Sequence, residues 1–403
     1  MKICIIGAGI VGCASAYQLA RDGHQVQLVD ECCEPGKVTS FANGAQLSYS
    51  YVEPFASPGT LRSLPAMFLS RQSPVRFTLK ADPHQWAWLL RFLRACNAQT
   101  ARRGTFELLE LARLSRRTLE SWMARESWDV SFAQNGKLVL CPDIAMLRKQ
   151  EAQVRLQASF GCHQEVLSAR DCLVREPALK LQADGFAGGV WTPDECVADP
   201  YLLCRELVNS LRMLGGTSIF GSTVKGFVRE GERVVAVQTT SGDLVADRIV
   251  IAAGPRAAPL AAKFGVSLPI YPIKGYSLTV PFLKDDRPRA SVTDLGRKMV
   301  FAPLDGHLRV AAMAEIAGFD MSIPPDRVEA MRQGVDALYP GMCDLKAPVV
   351  WTGLRPATPD SLPIVRRIRS TNLFVNVGHG ALGLTLAAGT AARMSQLVAQ
   401  SAG

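Results

Sequence analysis

The chain has 403 residues, 48% of them hydrophobic, with a mean hydropathy of +0.10; that is enough for two domains with sizeable cores. Basic residues exceed acidic ones by nine and the pI is near 9.1, yet no nucleic-acid motif accompanies the charge, so nucleic acid is not expected as a partner. Eleven cysteines, an odd number without paired CxxC and histidine spacing, argue against a disulfide framework or a metal site and for reduced thiols.

Residues 3–6 read as a buried parallel strand running into Gly7-Ala8-Gly9-Ile10-Val11-Gly12, and 14–20 have helix-forming composition closed by Gly23. Gly7 suits the tight turn and Gly9 a close approach of backbone N–H groups to a pyrophosphate. Gly12 lets helix and strand pack closely, and the helix dipole favours the phosphate charge. A second strand, 26–29, ends at Asp30, eighteen residues after Gly12, where a carboxylate can accept hydrogen bonds from ribose hydroxyls, with Glu31 beside it. That acid disfavours a 2′-phosphate, which makes NADP the least suitable dinucleotide. Cys32-Cys33 follows, a vicinal pair that reads as a loop dipeptide, with a redox dithiol as the alternative.

A Gly, Pro and Ser-rich stretch then continues to about residue 65, and an irregular segment of that length is usually functional. From 83 to 126 the pattern is helical, with Trp86, Leu89, Leu90 and Leu93, then Leu108, Leu109, Leu111, Leu114 and Leu119, expected in the core. Arg91, Arg94, Arg102, Arg103, Arg113, Arg116 and Arg117 cluster there, as a solvated face or one that attracts an anionic membrane. Strands are expected at 137–141 and 188–191, a helix at 200–214, and strands separated by glycine turns over 217–252. The apolar run 247–252 breaks at Ala253-Gly254-Pro255 and reads as a return to the nucleotide sheet.

Beyond it, 270–280, 298–302 and 308–315 suggest a mainly antiparallel sheet, and 325–338 another helix. The strand 373–377, the turn Gly378-His379-Gly380-Ala381-Leu382-Gly383 and a helix over 385–400 close the chain, a second glycine-rich turn at a helix N-terminus. Nucleotide-like segments thus occur at the beginning, middle and end. A nicotinamide dehydrogenase normally keeps its dinucleotide fold contiguous, whereas flavoproteins commonly split it. No run approaches the roughly twenty apolar residues that span a bilayer, so a cytoplasmic protein is expected, with the basic region able to bring it to the inner face of the membrane.

Several blocks together resemble the D-amino-acid dehydrogenase small subunit family, within the wider D-amino-acid oxidase, glycine oxidase and sarcosine oxidase group. They are GAGIVG with its VD acid, TSFANGAQLSYSYVEPFASPG at 39–59, PIYPIKGYSLTVP at 269–281, RVAAMAE at 309–315, TGLRPATPDSLPIV at 352–365 and NLFVNVGHGALGLT at 372–385. The resemblance spans nearly the whole chain. It implies an α/β fold in which a Rossmann-type FAD-binding domain (1–55, 190–265 and 345–403) is interleaved with an α+β substrate domain (56–189 and 266–344) containing a mainly antiparallel sheet. It also implies non-covalent FAD on Gly7, Gly9 and Gly12, with its ribose on Asp30 and its adenine near Val224.

By the same resemblance Ser40, Asn43, Gly44, Gln46 and Leu47 lie along the flavin and ribityl chain, and the turn from Gly378 to Thr385, including Leu384, brings N–H groups to the flavin. Arg355 falls where the substrate α-carboxylate is held, a bidentate task that suits guanidinium, with a structural salt bridge as the bland reading. Tyr271 and Tyr276 either cover the substrate or donate to its carboxylate, or else pack in the core. His379 belongs to the flavin-binding turn, and no general base is assigned. The implied reaction is oxidation of D-amino acids by hydride transfer from Cα to flavin N5, giving a 2-oxo acid and ammonia, with electrons passed to a quinone or other acceptor. A partner subunit is left open. Rival readings are an oxidase or dehydrogenase of D-proline, D-hydroxyproline, glycine or sarcosine, and a non-catalytic flavin-binding subunit. The chain departs from the family at Leu384, where tryptophan is expected, at Asn43-Gly44-Ala45-Gln46 for an NAGQ-like loop, and at Ala198-Asp199 for Gly-Asp.

Overall fold

A computed structural model describes residues 1–61, 75–180, 185–369 and 371–400. The last part of the expected irregular stretch, 62–65, lies outside them. Among the described residues the strand Lys2–Ile6 is central to a six-stranded sheet, flanked by Gln25–Val29 and Thr217–Ile219 on one side and by Arg248–Ile251, Leu373–Val377 and Ile364–Arg367 on the other. All pairings are parallel except that of the edge strand Ile364–Arg367. Such strands are covered on both faces, which is why they read as unbroken apolar runs.

One face packs Ile3 and Ile5 against the helices Ile10–Arg21, Ala98–Glu126, Pro200–Met213 and Gly383–Gln400. The other packs Cys4, Ile6 and Ile249 against the antiparallel hairpins of Val224–Glu230, Arg233–Thr239 and Gly242–Val245 and the helix Ala257–Ala262.

A nine-stranded, mainly antiparallel sheet forms the second layer, running from Val349–Ala357 through Tyr271–Pro281, His307–Ile316, Met299–Leu304 and Ser291–Asp294 to Lys137–Cys141, Gly188–Thr192 and Glu165–Ser168, with Val75–Phe77 beside His307–Ile316. Its core is closed by the helix Pro325–Leu338, which lies where the apolar spacing placed it. We propose two interleaved parts, nucleotide-binding and substrate-binding, built on these two sheets. Gly188–Thr192 and Val349–Ala357 then go with the substrate sheet, and the long helix Ala98–Glu126 with the nucleotide layer, so the part boundaries fall at different residues from those drawn on the sequence alone.

The helical pattern over 83–126 is two helices, Pro83–Ala95 and Ala98–Glu126. Asn97 separates them: its side chain accepts from the Thr100 N–H, starting the second helix, and donates to the Arg94 carbonyl at the end of the first. Trp88, Leu89 and Phe92 are buried, but Trp86, Leu90 and Leu93, expected in the core, face outward. Eleven free cysteines are described, with Cys33 exposed.

Candidate active site

A cavity of about 990 Å³ lies between the two sheets. The turn of the first strand forms one end. A Cβ on Gly12 would sit 1.7 Å from the Gly7 carbonyl oxygen, so strand and helix meet there too closely for any other residue. The helix Ile10–Arg21 begins at Gly9 with no acidic residue in its first turn and takes one outside cap, the Ser40 hydroxyl that accepts from the Ile10 N–H at 3.0 Å. Its positive end therefore opens on the cavity.

The structure brings Gly7, Gly9, Ile10, Val11, Asp30, Glu31, Ser40, Asn43, Gly44, Gln46, Val224, Ala253, Gly254, Gly378, His379, Gly380, Leu382, Gly383, Leu384, Tyr276 and Arg355 to the wall of this one cavity. Gly12, Leu47, Thr385 and Tyr271 stand behind it. Thr385 accepts from the Ser48 N–H at 3.0 Å and so ties the last helix to the loop over the cavity. Tyr271 packs against Trp88, and its hydroxyl reaches Asp82 at 3.5 Å.

Asp30 accepts from the N–H groups of Ala8 and Cys32, at 2.6 and 2.8 Å, and each carboxylate oxygen keeps a lone pair for a further donor. Glu31 pairs with Arg256 beside it. At the far glycine turn His379 Nε2 meets the Thr390 hydroxyl at 2.9 Å, and burial pushes the imidazole down to about 3, so the ring is neutral at physiological pH. His379 Nδ1, Asn376 Oδ1 and Gln46 Nε2 are buried without a hydrogen-bond partner on residues that line the cavity.

Arg355 lies on the strand Val349–Ala357, opposite Ile273. Its guanidinium crosses flat over Gly275, where a Cβ would fall 2.5 Å from Cζ. Nη1 donates to the Met313 carbonyl at 2.8 Å, and Met313 sits at a bulge with φ +67°, which turns that carbonyl toward the arginine. Burial lowers the guanidinium to about 10, still cationic at neutral pH, and no carboxylate pairs with it among the described residues. The bland reading of a salt bridge therefore finds no partner. Tyr276, by contrast, donates to Glu315 at 2.8 Å inside a buried network in which Arg327 and Lys274 hold the same carboxylate.

Two of the family departures meet in one place. Ala45 adopts φ +54°, where glycine is at ease, and Asn43 steadies it by accepting from the Ala45 N–H. The Ala45 carbonyl accepts from Ala198 N–H, while Asp199 pairs with Arg309, which donates to the Asn43 carbonyl. Leu384, the third, is buried at the cavity wall.

Sequence reasoning passed over Lys137 on the same wall. It is buried, donates to the Ser48 hydroxyl at 2.9 Å and lies 4.3 Å from the centre of the Tyr51 ring; burial lowers it to about 8. Glu195 beneath it accepts from three successive N–H groups, of Tyr49, Ser50 and Tyr51, and burial pushes its carboxyl up. A lysine opening an otherwise buried strand was the available signal.

A parallel sheet with a glycine turn under a helix, a second glycine turn at another helix N-terminus, and a buried arginine on the cavity wall are the features of a flavin-dependent oxidoreductase. The chain belongs to the FAD dependent oxidoreductase family (DAO), whose model matches residues 2–397, and FAD is its cofactor. It is 42% identical to D-amino acid dehydrogenase 2 of Ralstonia nicotianae over 100% of this chain and 97% of the relative, and 42% identical to that of Pseudomonas aeruginosa over 98% and 94%. The fold is that of glycine oxidase from Geobacillus kaustophilus, with TM-score 0.76 and 21% identity over 99% of this chain and 94% of that one. The residues fit the cofactor: a helix N-terminus with no acidic residue in its first turn, an acid at the end of the second strand with lone pairs to spare, and a cavity of dinucleotide size are all present.

Proposed function

We propose that the chain oxidises D-amino acids to 2-oxo acids and ammonia, with electrons passed to a quinone or other acceptor. The observation that carries the reading is Arg355, a cation without a carboxylate partner among the described residues, fixed over Gly275 on the cavity wall. The names of the relatives at 42% identity support it. FAD, held by the first glycine turn, Asp30 and the Gly378–Leu384 region, supplies a two-electron acceptor for the Cα hydrogen. Arg355 binds the substrate carboxylate and so holds the amino acid in the cavity. His379, neutral and buried, orients the turn and takes no proton. Released imino acid hydrolyses in water.

The test is anaerobic bleaching of the purified protein's flavin by D- and L-amino acids, D-proline, D-hydroxyproline, glycine and sarcosine. Bleaching by D-amino acids alone is expected, with slow recovery in air; bleaching only by glycine or N-substituted substrates would replace the reading. Bound flavin that no amine bleaches would favour a non-catalytic subunit.

No helix among the described residues is long and apolar enough to cross a membrane. The helix Pro83–Ala95 supports peripheral contact instead: Trp86, Leu90 and Leu93 are 47%, 55% and 42% exposed at i, i+4 and i+7, with Arg91 and Arg94 beside them. That is an apolar stripe flanked by positive charge, suited to an anionic bilayer surface. The protein should co-sediment with vesicles containing anionic lipid and not with neutral ones, and Trp86→Ala with Leu90→Ala should weaken the binding; equal recovery with both lipids would remove the assignment.

A further inference from the structure

We infer that Lys137 tunes the electron affinity of the bound flavin, as a buried ammonium fixed at the end of the cavity where the ring system lies. Hydride transfer brings one hydrogen and both electrons, so the reduced ring carries one negative charge that the oxidised ring lacks. A nearby cation stabilises the reduced form over the oxidised one. The inference needs the cofactor alone and is independent of which amine is oxidised.

The loop that lines the cavity points to the end where the ring lies. At Ser40 this loop caps the helix after the first glycine turn, whose N–H groups suit a pyrophosphate. Asn43, Gly44 and Gln46 carry it along the wall, and at Ser48 it meets Thr385 in the first turn of the last helix. With the adenosine at Asp30 and the phosphates at the first helix, the rest of the cofactor extends toward the second. Lys137 joins the loop at that second end, donating to the Ser48 hydroxyl at 2.9 Å with its Nζ 4.3 Å from the centre of the Tyr51 ring. Ser48, Tyr51 and Lys137 all line the cavity.

Strand alternation sets the direction of the side chain. Leu138 and Leu140 enter the core of the second sheet, so Lys137 faces the other way, into the cavity. It is 3% exposed, and among the described residues it forms no ion pair. Glu195, the acid whose charge it feels, gives both oxygens to the N–H groups of Tyr49, Ser50 and Tyr51. Burial lowers the lysine to about 8, which leaves it largely an ammonium at neutral pH. A neutral donor would hold the Ser48 hydroxyl as well, and a buried charge without a paired one is costly. The charge is therefore accounted for by what the cavity receives.

The experiment equilibrates the flavin-loaded full chain with a reference dye during slow anaerobic reduction, with no amino acid present, in wild type, Lys137→Met and Lys137→Arg. Lys137→Met keeps the length of the side chain without its charge. It should lower the equilibrium constant for flavin reduction about tenfold or more, a midpoint potential lower by about 30 mV for two electrons. Lys137→Arg keeps the charge and should lower that constant by less than about threefold. Lys137→Met at the wild-type potential, an equal fall in both variants, or loss of flavin from Lys137→Met on gel filtration would each overturn the inference, the last two by making Lys137 a structural tie for the loop. Because no amine enters the measurement, its outcome leaves the proposed substrate untouched.

Discussion

Arg355→Leu should raise the KM for amino acids about a hundredfold or more while the purified protein keeps its flavin. A carboxylate on the guanidinium gains two charge-assisted hydrogen bonds of about 1.5–3 kcal/mol each, and about 1.4 kcal/mol is a factor of ten. Leucine keeps most of the apolar stem and removes every donor. The change leaves the Met313 carbonyl without its arginine donor, which lowers stability modestly but touches neither glycine turn. Flavin absorbance after gel filtration therefore separates loss of substrate binding from loss of fold. A KM close to that of wild type would end the role given to Arg355.

Glu315→Ala should destabilise the fold by about 3–5 kcal/mol in urea unfolding, because it strips a shared carboxylate from Arg327, Lys274 and Tyr276 in the interior. Lys274 retains Asp320, but Arg327 is buried and forms its ion pair with Glu315. The same carboxylate sets an acid limit. Burial pushes it up, yet the Tyr276 hydrogen bond and the Arg327 and Lys274 charges outweigh burial and hold it below the usual value. A carboxyl depressed in the folded state contributes stability above its unfolded pKa of about 4.3 and loses it as pH falls through the folded value. The wild type should therefore lose stability below about pH 4 more steeply than the variant. Equal stability of the two proteins at neutral pH would show the network to be dispensable.

Much of the nucleotide half is legible in the sequence because its signals are local: an apolar run, glycines at fixed spacing, an acid at the end of the next strand. Leu373–Val377 and Pro325–Leu338 are placed to the residue for the same reason. The helix Ile144–Ala158 was invisible, since the residues it buries are Gln150 and Gln157 and it offers no apolar periodicity. On Pro83–Ala95 the spacing gives two stripes, Trp88, Leu89 and Phe92 facing inward and Trp86, Leu90 and Leu93 outward, and no local rule says which stripe meets a core. The two tyrosines beside Lys274 look alike in sequence. Strand alternation puts the Tyr276 ring on the opposite face from Tyr271, with Glu315 rather than Trp88, and which face meets which layer is a matter of pairing between distant strands. Lys137 meets Ser48 and Tyr51 from a strand almost ninety positions away, and that too appears only on folding.

The order of strands in the six-stranded sheet bears on how the protein comes into being. Lys2–Ile6 has Arg248–Ile251 as one neighbour, which in turn waits for Leu373–Val377, and the helix Gly383–Gln400 covers the helix that follows the first glycine turn. A ribosome emitting roughly 5–20 residues per second leaves the earliest nucleotide-binding residues without their partners for tens of seconds. Pairings so distant in sequence also fold slowly. Cofactor capture thus waits until residues 373–400 have been made, and the nascent chain carries an open, apolar strand edge until its distant partners arrive.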